Sequence, residues 1–223
     1  MTLASQALAD NLTQAEAEAR AARVSNCQYE LAIDLQRGAE TYGGDVTIEF
    51  DLAGSGALFL DFRGATIELL EVNGAPIGAP DWTGYRLTLP GSALSAHNRV
   101  HVRYENEYDH EGDGFHQFKD PEDGEEYLYS NFEPYESHRL FPQFDQPDIK
   151  ASYRLVVSAP PEWEVIHNSR LASLTALSDG RKRHEFERTL RFSTYLFALV
   201  AGPYYVARAE HGAIDLGLFC RKS

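Results

Sequence analysis

The sequence predicts an all-β protein: an antiparallel β-sandwich preceded by one short helix. Three observations predict it. Apolar residues alternate with polar or small ones over many short runs, as in half-buried strands. Gly and Asn-Gly punctuate those runs at hairpin spacing. Helical periodicity is confined to the Ala-rich segment near the N-terminus.

The helix is announced by Thr13-Gln14-Ala15-Glu16, a capping box in which the Thr hydroxyl and the Glu carboxylate each satisfy an orphan N–H. It should run to about Arg23. The period then changes from 3.6 to 2. Tyr29, Leu31, Ile33 and Leu35 alternate with polar or small residues, as do Val46, Ile48, Phe50 and Leu52. Gly43-Gly44 lies between these runs and reads as a hairpin turn, because glycine adopts positive φ without steric cost.

Further strands are expected over 58–62, 67–72, 85–89 and 100–104, with Asn73-Gly74 as a second turn. A third group covers 153–157, 163–166, 184–191, 195–201 and 214–220. Residues 106–147 lose the alternation and become rich in Gly, Asp, Glu, Pro and aromatics. Long irregular stretches inside compact domains are usually functional. With no repeat or linker in the chain, the organisation expected is a helix and lead-in over 1–25 and one β domain over 26–223.

Composition excludes several classes. A formal net charge of -14 is wrong for phosphate recognition, which needs clustered Lys and Arg, so no nucleic-acid partner is expected. Cys27 and Cys220 are the only cysteines; they provide no disulfide framework or C-x-x-C knuckle, and each lies on a strand pattern where a small buried hydrophobe is the default. Neither a signal-peptide pattern nor a run of membrane-spanning length is present. A cytoplasmic protein without membrane contact is the expectation.

Candidate chemistry is sparse. Asp109-His110-Glu111-Gly112-Asp113-Gly114, followed by Asp120, partly matches a calcium loop. Its third position is Glu, its closing residue is Asp, too short for the usual bidentate Glu, and strands flank it, so a polar hairpin loop is the better reading. His97 and His101 are four apart but at a turn and on a strand, without the helical geometry of H-E-x-x-H. That string is absent, as are G-x-S-x-G and a phosphate loop. Asp145, Asp148 and Lys150 flank Pro147, where Asp side chains commonly bond their own downstream N–H groups.

There remains Tyr129 to Val157. On an extended backbone Asn131 and Glu133 point one way and Phe132 the other. Glu133 could accept charge-assisted hydrogen bonds from a cation, or pair with Arg139, or cap a turn. Arg139, Phe141 and Phe144 would anchor the loop to the sandwich.

The whole stretch, with Asn131-Phe132-Glu133, Arg139, Phe141-Pro142, Phe144-Asp145-Gln146-Pro147 and Lys150-Ala151-Ser152-Tyr153 in ungapped order, resembles the N-terminal domain of the aminopeptidase N family of gluzincin-type zinc metallopeptidases. Ser193-Thr194-Tyr195-Leu196, Gly202, Trp163 and Asn168-Ser169 extend the resemblance over nearly all of the chain beyond the helix. It implies a saddle-like domain packed on a thermolysin-like catalytic domain. It also implies that Glu133 binds the free α-ammonium of a peptide substrate, with Asn131 in the place of a preceding Gln and one methylene shorter. Zinc, and the glutamate that activates its water, would come from the catalytic domain. The family's Gly-Ala-Met-Glu-Asn motif and zinc ligands are not among these 223 residues, so the chain alone should be inactive and bind no metal. The alternative is a stand-alone, non-catalytic binding or scaffold module of the same fold.

Overall fold

A computed structural model describes residues 11–64 and 66–223. Residues 1–10 of the expected lead-in lie outside them. Helix α1 spans Gln14–Ala21 and carries the expected box: the Thr13 hydroxyl accepts from the Glu16 N–H, and the Glu16 carboxylate accepts from the Thr13 N–H. Its one buried residue is Arg20.

Among the described residues sixteen strands follow in chain order. The first seven are β1 (Val24–Asp34), β2 (Thr41–Leu52), β3 (Leu58–Asp61), β4 (Thr66–Val72), β5 (Ala75–Pro76), β6 (Arg86–Leu89) and β7 (His97–Glu107). After them come β8 (Gly114–Lys119), β9 (Glu126–Asn131), β10 (Ser152–Ala159), β11 (Glu164–His167) and β12 (Leu171–Ala176). The last four are β13 (Lys182–Phe186), β14 (Leu199–Gly202), β15 (Tyr205–His211) and β16 (Ile214–Cys220).

An eight-stranded sheet runs β12-β13-β10-β1-β2-β7-β4-β5, and a four-stranded sheet runs β11-β14-β9-β8. Two antiparallel strand pairs, β3-β6 and β15-β16, complete the set. Pairing is antiparallel except between β1 and β10, which run parallel. That pair joins two meanders distant in sequence, a connection no local turn could make. Alternating residues of the central strands, such as Tyr29, Leu31 and Ile33 of β1 and Tyr153, Leu155 and Val157 of β10, are buried in a common core.

Four sequence expectations change. Gly43-Gly44 is not a turn but lies inside β2, paired with Glu105 and Tyr104 of β7. A Cβ on Gly44 would sit 2.0 Å from Cζ of Tyr104, so glycine is required there by the approach of a ring rather than by a bend. Asn73-Gly74 is a true turn, with both residues at positive φ. The stretch 106–147 contains β8 and β9. Its alternation vanishes because consecutive residues Glu126, Tyr127 and Leu128 are all buried, as in strands covered on both faces. The strands expected over 184–191 and 195–201 are shorter: β13 ends at Phe186, and a 3-10 turn occupies Thr194–Leu196 before β14. Among the described residues, no helix is long and apolar enough to cross a membrane.

Candidate functional site

Strand β9 delivers the candidate residues. Asn131 ends the strand exposed, Phe132 is buried, and Glu133 is exposed in the turn that follows, closed by the Glu136 N–H donating to the Phe132 carbonyl at 3.0 Å. The alternation expected from the sequence holds, although the chain is already turning at Glu133.

The residues that follow in and beside this turn are tied down. Tyr135 donates its hydroxyl to Oδ1 of Asp61 at 3.2 Å. Arg139 pairs with Glu136 and, at 2.8 Å, with Oδ1 of Asp109. The Arg139 carbonyl accepts from Asn106 Nδ2 at 2.6 Å and from the Tyr42 hydroxyl at 3.1 Å, and the Leu140 carbonyl accepts from the Tyr104 hydroxyl at 2.9 Å. Glu133 has neither hydrogen bond nor ion pair among the described residues. The pairing with Arg139 left open by the sequence is therefore absent, because Glu136 and Asp109 occupy that guanidinium.

Asn131 is less free. Its Nδ2 donates to the Gly112 carbonyl at 3.0 Å and to Oδ1 of Asp113 at 3.2 Å, which fastens the end of β9 to the loop between β7 and β8. Only its Oδ1 faces outward without a protein donor.

Beneath the turn lies a buried polar network that the sequence reading missed. Asp145 does not cap its own downstream backbone. It accepts from the Ser137 hydroxyl (2.8 Å), the His138 N–H (3.0 Å), His138 Nδ1 (2.8 Å) and the Thr194 hydroxyl (2.6 Å). Burial pushes its carboxyl up, but the His138 bond and charge, with the two hydroxyls, bring it below the usual range. Asp61 accepts from Arg20 at 2.7 Å and from the Asp145 N–H at 2.9 Å. Its own carboxyl is raised, burial outweighing the attraction of Arg20. Arg20 also donates from Nε to Gln146, so α1 is locked to the same loop. The only local signal was a buried Arg on a short polar helix; its partners lie 41 and 126 residues away.

The other candidates resolve as structural. Both oxygens of Asp109 are engaged, by Arg139 and by the Phe115 N–H, and Asp120 accepts from the Glu122 N–H, Arg221 and Ser223. His97 pairs with Asp51, and His101 lies between Asp45 and Glu71 on β7. Among the described residues no group of three or more His, Cys, Asp or Glu could hold a metal ion, so the residues present do not fit a zinc site. Cys27 is buried, and burial pushes its thiol up to about 12. Cys220 is exposed at the end of β16, against expectation, on a strand whose residues are all exposed except half-buried Phe219.

Residues 25–196, which include this turn and the whole Asp145 network except for α1, match the sequence profile of the peptidase M1 N-terminal domain. The chain belongs to this family. It is 36% identical over 221 residues to aminopeptidase N of Streptomyces lividans, an alignment covering 96% of this chain and 25% of that protein. It is 40% identical over 92 residues to aminopeptidase N of Acetobacter pasteurianus, covering 41% of this chain and 26% of that protein. To aminopeptidase 2 of Candida albicans it is 24% identical over 201 residues, 86% of this chain and 22% of that protein. This M1 N-terminal domain therefore spans about a quarter of the length of these relatives.

Proposed function

We propose that this chain is the N-terminal domain of a zinc aminopeptidase that removes N-terminal residues from peptides, and that its part is to receive the substrate's free α-ammonium at Glu133. The observation carrying the proposal is Glu133 itself, an exposed carboxylate with no partner among the described residues, in a turn held at Tyr135, Glu136 and His138. The turn presents a carboxylate with no protein partner to give up before it accepts N–H donors from a cation, and such bonds are about twice as strong as neutral ones. Fixing the chain end also sets the register of cleavage, so that a single residue is removed. Asn131 contributes its Oδ1 as a second acceptor, its Nδ2 being spent on the 112–113 loop.

Bond cleavage is assigned to a thermolysin-like catalytic domain outside these residues, against which this domain packs in the cytoplasm. Zinc, when bound there, supplies the Lewis acid of hydrolysis; among the described residues of this chain no cluster fits it. The 223 residues alone are expected to release no amino acid from an aminoacyl anilide.

The test has two parts. The reading frame that follows Ser223 should encode H-E-x-x-H with a downstream Glu. The protein made from it should release the first residue of a free-amine peptide and leave the N-acetylated peptide intact. A stop codon at that point, or equal turnover of the two peptides, removes the proposal and favours a binding module.

A further inference from the structure

The strand that presents Glu133 leads, in the other direction, into an aromatic pocket. Alternate residues of β9 share a face, so Tyr127, Tyr129 and Asn131 lie together, opposite Phe118, His116 and Gly114 of β8. Tyr129 is 36% exposed although aromatic. Beside it the surface opens into a pocket of about 540 Å3 lined by Phe118, Tyr127, Tyr129, Tyr204, Phe219 and Arg221. That volume suits a small ligand or a side chain.

The walls are fixed independently of the Glu133 turn. The Tyr127 hydroxyl donates to Asp123 at 2.7 Å and accepts from the Lys222 N–H at 3.1 Å. Tyr127 and Tyr204 pack with ring centroids 4.9 Å apart. Arg221 stacks over Phe118 at 4.9 Å and pairs with Asp120 at 3.0 Å, which spends its charge. His116 backs Tyr129 at 4.8 Å, and its Nδ1 accepts from the Gly112 N–H, which leaves the ring proton on Nε2. Burial lowers the pKa of this imidazole, in keeping with a neutral wall.

The geometry points to this pocket as a side-chain subsite that takes an apolar or aromatic residue from the same peptide whose ammonium Glu133 receives. The assignment rests on that reading and extends it from the chain end to the body of the substrate. Glu133 lies four residues after Tyr129, the last two of them beyond β9, so it is at most ~14 Å away at a rise of ~3.4 Å per residue. An extended peptide rises equally, so a residue no further along than its fifth comes level with Tyr129. Aromatic rings suit such a site because offset and edge contacts add to plain burial.

The experiment uses the complete protein and unblocked alanine-based hexapeptides that carry Phe or Asp at residue three, four or five. The wild type should prefer Phe by roughly tenfold or more in kcat/KM, the scale of one apolar contact in a pocket. Tyr129→Ala should bring that ratio to within about twofold, and Tyr129→Phe should keep it. The ratio is read within each variant, so a general loss of folding lowers both rates without changing it. A wild-type ratio near one, or a ratio unmoved by Tyr129→Ala, overturns the assignment. Glu133→Gln should lower both rates alike. If it lowers neither while Tyr129→Ala still abolishes the preference, the ammonium reading fails and the pocket stands.

Discussion

Removing the Asp145 carboxylate should weaken the domain by about 3–5 kcal/mol. Its side chain is 1% exposed and accepts four hydrogen bonds, from Ser137, twice from His138 and from Thr194. In Asp145→Ala the Ser137 and Thr194 hydroxyls can rotate in search of other acceptors. The His138 N–H cannot, and its imidazole loses the partner it was buried with. A stranded buried donor costs about 1–3 kcal/mol and a broken buried pair about 3–5 kcal/mol; the overlapping losses keep the total in the upper range. Urea unfolding of the 223-residue chain reads the change as a shifted midpoint with an unchanged slope. Asp145→Asn keeps one carbonyl acceptor and should lose roughly half as much. The folded-state pKa of Asp145 is depressed, so its contribution is present above the ordinary carboxylate value of about 3.9 and lost as pH falls through the folded value. The gap between wild type and Asp145→Asn should therefore close below about pH 4. A loss under about 1 kcal/mol for Asp145→Ala at pH 7 would refute this reasoning.

Three further outcomes are expected. Gly44→Ala forces a methyl into the ring of Tyr104, itself held by the Leu140 carbonyl, and should cost about 1–3 kcal/mol in the same unfolding assay; a neutral effect would show that the ring moves aside freely. His167 donates from Nδ1 to the Ala198 carbonyl at 2.7 Å, and burial lowers its pKa to about 4. The unfolded chain then binds the extra proton between about pH 6.5 and 4, and stability should fall by about 3 kcal/mol over that range relative to His167→Gln; parallel pH curves would contradict it. Of the two thiols, exposed Cys220 should react with a disulfide reagent in the native protein, and Cys27 only after unfolding; two fast thiols would show the site of Cys27 to be open.

Much of the fold was legible because strand burial writes itself as a period of two, clearest in β1, β2 and β7. Legibility failed where both faces of a strand are covered. Glu126, Tyr127 and Leu128 break the alternation, and β8 and β9 vanished into an apparent loop. Gly43-Gly44 misled because a local rule for turns competes with a tertiary cause, the Tyr104 ring, that no local pattern reports. Of the candidate site, the exposure of Asn131 and Glu133 around buried Phe132 followed from the strand period. The Arg20, Asp61 and Asp145 network did not, since its partners meet only in the folded chain. The resemblance that brought out Phe144-Asp145-Gln146-Pro147 marked the right residues while leaving their contacts unread.

The account depends most on Glu133 receiving the terminal ammonium. Its direct measurement is kcat/KM of the complete protein and its Glu133→Ala variant on a free-amine peptide. A drop of roughly 10- to 1000-fold is predicted, the scale of a lost charge-assisted contact. An unchanged kcat/KM would contradict the account and leave Glu133 as a solvated surface carboxylate.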